Sequence, residues 1–121
     1  MRILVVDDSE AIAKQLATIL GTLRAEVQIS WAGDLAQART LLATQPPDVV
    51  FLDLLLGDDD GVDLMWDIGR ASMRTRIVTM SALAAHHARV TQASALGARA
   101  HLEKPLRAPD VERALAAAQG A

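Results

Sequence analysis

The sequence predicts a doubly wound α/β domain, a parallel five-stranded sheet with helices on both faces. Three observations predict it. Three short runs, Ile3-Leu4-Val5-Val6, Val49-Val50-Phe51-Leu52 and Ile77-Val78-Thr79-Met80, have little or no alternation. Consecutive side chains of a strand point to opposite faces, so such runs must be covered on both sides. Two further runs, Glu26 to Trp31 and Ala98 to Leu102, alternate apolar and polar, as half-solvated edge strands do. Segments with apolar residues at helical spacing stand between the runs.

Length and composition set the bounds. At 121 residues, about half of them apolar, the chain suits one domain over residues 1–121 with one core. A formal charge of −3 does not draw the surface to nucleic acid or anionic lipid. The lack of cysteine excludes a disulfide scaffold and a thiolate metal site. Met1 to Val6 is too short for a signal peptide's apolar region, and Asp7-Asp8 follows at once. No run approaches the ~20 apolar residues of a membrane helix. The expectation is a soluble, cytoplasmic domain that contacts neither nucleic acid nor membrane directly.

The first strand, Ile3 to Val6, closes on Asp7-Asp8. Ser9 offers an N-cap with Glu10 in the first turn, and Ile12, Leu16, Ile19, Leu20 and Leu23 follow at helical spacing. In the second strand Val27, Ile29 and Trp31 oppose Gln28 and Ser30. Asp34 caps a helix carrying Leu35, Ala38, Leu41 and Leu42, which Pro46-Pro47 stops. The third strand ends at Asp53. A loop, Leu54 to Asp60, leads to a helix whose buried stripe is expected to be Val62, Met65, Trp66 and Ile68. The fourth strand ends at Ser81, and a helix from about Ala84 to Leu96 is anchored by Val90, Ala93 and Leu96. In the fifth strand Ala98, Ala100 and Leu102 oppose Arg99 and His101, and Lys104-Pro105 closes it. The last helix starts near Pro109 and carries Val111, Leu115 and Ala118. Trp31 and Trp66 read as packing residues, and His86-His87 as plain surface histidines.

Unbroken apolar runs place strands one, three and four in the centre, and alternation places strands two and five at the edges. With right-handed crossovers, the order 2-1-3-4-5 satisfies this pattern, the flavodoxin-like arrangement. Its switch point lies between strands one and three, where ligands of such sheets gather. Those strands end in Asp7-Asp8 and Asp53, so three carboxylates meet in one crevice. Like charges at close range disfavour one another unless a cation is present, and hard oxygen donors suit Mg²⁺. Strand four brings the Ser81 hydroxyl to the same edge and strand five the Lys104 ammonium. A hydroxyl, an ammonium and Mg²⁺ complement a phosphoryl group, and an Asp carboxylate can accept one as an acyl phosphate. Asp53, at the head of the central strand, is the candidate nucleophile.

Asp7-Asp8, Asp53, Ser81-Ala82 and Lys104-Pro105 resemble the receiver domain of two-component response regulators, over essentially the whole chain. The resemblance implies that Asp53 accepts phosphate from a sensor histidine kinase or a histidine phosphotransfer protein. It implies Mg²⁺, with Mn²⁺ as a substitute, held by Asp8, Asp53 and the Leu55 backbone carbonyl, with Asp7 acting through water. Ser81, the Ala82 backbone and Lys104 would contact the phosphoryl oxygens, and the Lys104–Pro105 peptide would be cis. Ser81 and His101 would form the switch. The face of the fourth helix, fifth strand and fifth helix would meet a second copy or an effector. The chain departs from the family at Leu56-Gly57, often Met-Pro, where a looser loop is expected, and at His101, often Tyr or Phe. Asp58 and Asp59 add charge beside Asp60-Gly61 and read as a solvated loop.

The expected function is a switch that catalyses only its own phosphoryl transfer and autodephosphorylation. One alternative is a Mg²⁺-dependent aspartyl-phosphate phosphatase. Enzymes resembling the haloacid-dehalogenase group carry a second Asp two residues after the nucleophile, and here that position is Leu55. A nucleotide-binding module would need a Gly-rich phosphate loop where this chain has Asp-Asp-Ser. A docking-only receiver would not need the complete set of site residues.

Overall fold

Period-two alternation along buried strands divides the core into two. A computed structural model describes residues 1–71, 74–84 and 87–120. The chain runs β1 (Arg2–Val6), α1 (Glu10–Leu23), β2 (Gln28–Ala32), α2 (Leu35–Thr44) and β3 (Val49–Asp53). A short pair follows, β4 (Leu55–Leu56) and β5 (Asp59–Asp60), and then α3 (Val62–Arg70) and β6 (Arg76–Ser81). The fold ends with α4 (Ala88–Ala95), β7 (Ala100–Glu103) and α5 (Ala108–Gln119).

Five strands form one parallel sheet in the order β2-β1-β3-β6-β7. In chain order of the sheet strands this is 2-1-3-4-5, as the apolar patterning predicts. On one face Ile3, Val5, Val49, Phe51, Val78 and Met80 meet α1 and α5 through Leu16, Leu20, Val111 and Leu115. On the other, Leu4, Val6, Val50, Leu52 and Ile77 meet α2, α3 and α4 through Leu42, Leu64, Met65 and Val90. Every residue of β3 is buried. Among the described residues, no helix is long and apolar enough to cross a membrane.

The structure corrects the third helix. The buried residues of α3 are Val62, Leu64, Met65 and Ile68, and Trp66 is 49% exposed. At 100° per residue, Leu64, Met65 and Ile68 share a stripe and Trp66 points a quarter-turn beyond it. Trp31, on the edge strand β2, is 42% exposed, and its ring lies beside Gly33. The segment from Leu54 to Asp60 is not a simple loop. Leu55 pairs with Asp60 and Leu56 with Asp59 in an antiparallel hairpin. Gly57 turns that hairpin with φ +56°, a left-handed conformation that glycine adopts without a Cβ penalty. Gly61 then crosses the end of β3 so closely that a Cβ would stand 2.3 Å from the Asp53 carbonyl oxygen. α4 begins at Ala88, later than the sequence suggests, because His87 is extended and its ring caps the helix by accepting the Arg89 N–H. His86 lies outside the described residues.

Candidate functional site

Strand ends set the site. Past the last rung of β1, the Asp7 N–H donates to the Ala32 carbonyl at 3.1 Å, which carries the β1–β2 ladder one step further. Asp7 is fully buried, Asp53 is 4% exposed, and Asp8 is exposed. One carboxylate oxygen from each of Asp7, Asp8 and Asp53 lies within 4.8 Å of the others. β1 and β3 thus deliver three acids to one crevice, as the strand pattern predicts.

Each buried carboxylate is met by donors. Asp7 Oδ1 accepts the Ser9 N–H at 2.9 Å and Oδ2 the Lys104 ammonium at 2.7 Å. Asp53 Oδ1 accepts the Leu55 N–H at 2.9 Å and Oδ2 the same ammonium at 3.1 Å. Lys104 therefore bridges two acids. Among the described residues nothing donates to the Asp8 carboxylate. Burial pushes the Asp53 carboxyl above the usual carboxylate range, and the hydrogen bonds from Leu55 and Lys104 oppose it. Burial also lowers the Lys104 ammonium, but its hydrogen bonds to Asp7 and Asp53 outweigh that, and its pKa is raised. Three hard oxygen donors with one shared monovalent counter-charge fit a small divalent cation.

Ser81, at the end of β6, is buried, and its Oγ accepts the Leu83 N–H at 3.1 Å. Ala82 is exposed on the turn that follows. The Lys104–Pro105 peptide is cis, and Pro105 is exposed. Leu55 is 42% exposed on the hairpin, opposite Asp60. Asp60 joins two helices, since Oδ1 accepts the Val62 N–H at 3.0 Å and Oδ2 meets Arg89 of α4 at 3.3 Å.

His101 is half-buried and faces the end of β6. Its Nδ1 lies 2.8 Å from Thr79 Oγ1, and its Nε2 lies 3.4 Å from both Ser81 Oγ and the Leu83 carbonyl. In the tautomer that carries its proton on Nε2, the ring donates to the Leu83 carbonyl and Nδ1 accepts from the Thr79 hydroxyl, which also lies 3.4 Å from the Ala100 carbonyl. The ring lines a groove shared with Val90, Thr91 and Ser94 of α4, and a second with Asp110 and Arg113 of α5.

Two partners escape a reading of the sequence. The Trp31 indole N–H donates to the Asp7 carbonyl at 2.7 Å. Thr79, 1% exposed, holds the His101 ring. The only signal for Trp31 was its place at the end of the strand beside Asp7. For Thr79 it was a lone hydroxyl in an apolar run.

The chain matches the family model described as the response regulator receiver domain over residues 3–116. It is 39% identical to the alginate biosynthesis transcriptional regulatory protein AlgB of Pseudomonas putida, over 98% of this chain and 25% of that protein. The chain thus spans about a quarter of that relative's length. A response regulator from Burkholderia pseudomallei, solved with a phosphorylated aspartic acid, a calcium ion and citrate, superposes with a TM-score of 0.81. It is 31% identical, over 98% of this chain and 66% of that one. The signal receiver domain of the DNA-binding response regulator merR from Colwellia psychrerythraea gives 0.85 at 30% identity, over 95% and 94% of the two chains. Sheet order, the acids at the ends of β1 and β3, and a match from the first strand into the last helix agree, and the chain belongs to the receiver domains of two-component response regulators.

Proposed function

We propose that this chain receives a phosphoryl group on Asp53 with the help of Mg²⁺ and turns it into a change of surface around α4, β7 and α5. The observation that carries the reading is the placing of one buried carboxylate, Asp53, beside two further acids and an ammonium at the head of the central strand. The phosphorylated aspartic acid and calcium ion of the Burkholderia pseudomallei relative support it.

Asp8, Asp53 and the Leu55 carbonyl are the residues that would hold the ion. Both oxygens of Asp7 already have protein donors, which suits Asp7 to act through water. When bound, the ion supplies charge neutralisation of the phosphoryl oxygens. Asp53 Oδ attacks phosphorus, and the bond from phosphorus to the donor's histidine nitrogen breaks. That nitrogen keeps the electron pair, and an acyl phosphate remains on Asp53. Lys104 leaves the lost carboxylate charge for a phosphoryl oxygen, and Ser81 with the Ala82 backbone receives another. Ser81 is tied to Leu83 and stands beside His101, so any shift of its hydroxyl is felt at the groove between β7 and α4. The donor is a histidine kinase or phosphotransfer protein. Domain 1–121 acts as a switch rather than a turnover enzyme.

The test is intact mass after incubation with acetyl phosphate. The native protein gains one phosphoryl mass with Mg²⁺ and none with chelator. A phosphorylated Asp53→Ala variant would remove Asp53 as the acceptor.

A further inference from the structure

Trp31 is an exposed aromatic that the proposed mechanism does not use, and it makes one of the shortest hydrogen bonds of the site. Its indole N–H reaches the carbonyl of Asp7, which belongs to the peptide unit joining Asp7 to Asp8. The other side of Asp7 is held by its own N–H on the Ala32 carbonyl, and its carboxylate by Ser9 and Lys104. Asp8 has no such support among the described residues: its carboxylate is exposed and meets no donor. The direction in which Asp8 points is therefore set by the two peptides that flank it. The Ser9 N–H on Asp7 Oδ1 holds the C-terminal one, and the indole fixes the plane of the N-terminal one.

We infer that Trp31 is a positioning residue for divalent-cation binding: by clamping the Asp7–Asp8 peptide, it holds the Asp8 carboxylate toward Asp53. This rests on the reading of the acid cluster as a Mg²⁺ site. The clamp is built to persist. β2 lies in register with β1, Trp31 opposite Val5 and Ala32 opposite Val6, so the ring is carried to the end of the neighbouring strand. There it lies over Gly33, where a Cβ would come 3.6 Å from the ring atom Cζ2. An apolar cover would need the ring alone. A clamp needs the N–H, and that distinction can be tested.

The protein has two tryptophans, and Trp66 stands on the solvent side of α3, outside the site. In a Trp66→Phe background all indole emission comes from Trp31. Mg²⁺ alone is titrated, followed by that emission and, separately, by calorimetry. The emission should change and saturate at the calorimetric midpoint, because the probe is bonded to the peptide that carries a ligand. Trp31→Phe keeps the ring and removes the donor. By the usual net worth of one hydrogen bond, it should weaken Mg²⁺ binding roughly threefold to tenfold. Phosphorylation of Asp53 by acetyl phosphate should then need more Mg²⁺ but reach the native rate at saturation. Unchanged affinity in Trp31→Phe, or emission indifferent to Mg²⁺ where calorimetry records binding, would overturn the clamp and leave the site itself standing. No calorimetric binding to the native protein would overturn both. The emission arm needs no change at Trp31, so it decides even if that variant fails to fold.

Discussion

Removing Asp8 should make the protein more stable without metal and less stable with it. Its carboxylate lies within 4.8 Å of the Asp7 and Asp53 oxygens and is exposed, so water screens it. At that separation a like-charge pair costs about 1 kcal/mol in a water-like dielectric. Two such repulsions, offset by attraction to Lys104, leave a net strain of about 1 kcal/mol. For a chain of 121 residues, an unfolding entropy of about 2.1 cal/mol/K per residue turns this into a rise of ~4 °C in Tm for Asp8→Ala. Metal reverses the order. A divalent cation in contact with a carboxylate gains about 4 kcal/mol even in a water-like dielectric, more than the ~2.7 kcal/mol of a hundredfold loss in affinity. At Mg²⁺ about a hundredfold above the native Kd, the native protein gains ~2.7 kcal/mol and a hundredfold weaker variant only ~0.4. Thermal unfolding of both proteins, with chelator and with excess Mg²⁺, should give melting curves that change places. An Asp8→Ala protein that melts at or below the native temperature in chelator would refute the repulsion. One that responds to Mg²⁺ as the native does would refute the ligand role.

Two further outcomes follow from residues around Asp53 and Ser81. Leu55 and Leu83 flank Asp53 and Ser81 with apolar side chains that cannot orient a water. Phosphate should therefore leave slowly, and replacing both by polar residues should shorten the acyl-phosphate half-life in a radiolabel chase; an equal half-life counts against them as the gate. Burial lowers the pKa of His101 below its usual value near 6.5, against the hydrogen bond to Leu83 and the charge of Glu103. The unfolded chain then takes up a proton at higher pH than the folded one, so stability is full above about 6.5 and falls as pH drops toward the folded value. His101→Asn should flatten that part of the pH–stability curve, and parallel curves would show that the ring titrates as if unfolded.

The central strands were legible because period-two geometry leaves no other place for an unbroken apolar run, and β3 is buried at every position. Strand order followed from which runs alternate. The hairpin of β4 and β5 was not legible, since two residues per strand carry no period; only Gly57, where the family often has proline, marked the turn. Trp66 was misplaced because a wheel drawn from Val62, Met65 and Ile68 leaves room for it until Leu64 is counted. In the site, the residues that project from strand ends were legible one by one. Their mutual hydrogen bonds were not, because they depend on register across strands. Trp31 reaches Asp7 only because Val6 pairs with Ala32, and His101 reaches Thr79 because the two stand opposite each other in the β6–β7 ladder.

Charge balance gives the arrangement its sense. Three carboxylates and one ammonium leave the crevice two charges negative, and the ammonium is committed to Asp7 and Asp53. Asp8 is the acid left without a protein counter-charge among the described residues, and it is also the exposed one. A divalent ion brings the crevice to neutrality from the solvent side, where Asp8 stands. A phosphoryl group on Asp53 replaces one negative charge by about two, so without the ion it would enter a field that repels it from both remaining acids. The same acids that would repel the donor's phosphate are those that would hold the ion. On the proposed reading, dependence on a divalent cation would follow from where β1 and β3 end, and Lys104, with a single charge and a flexible stem, would not replace the ion.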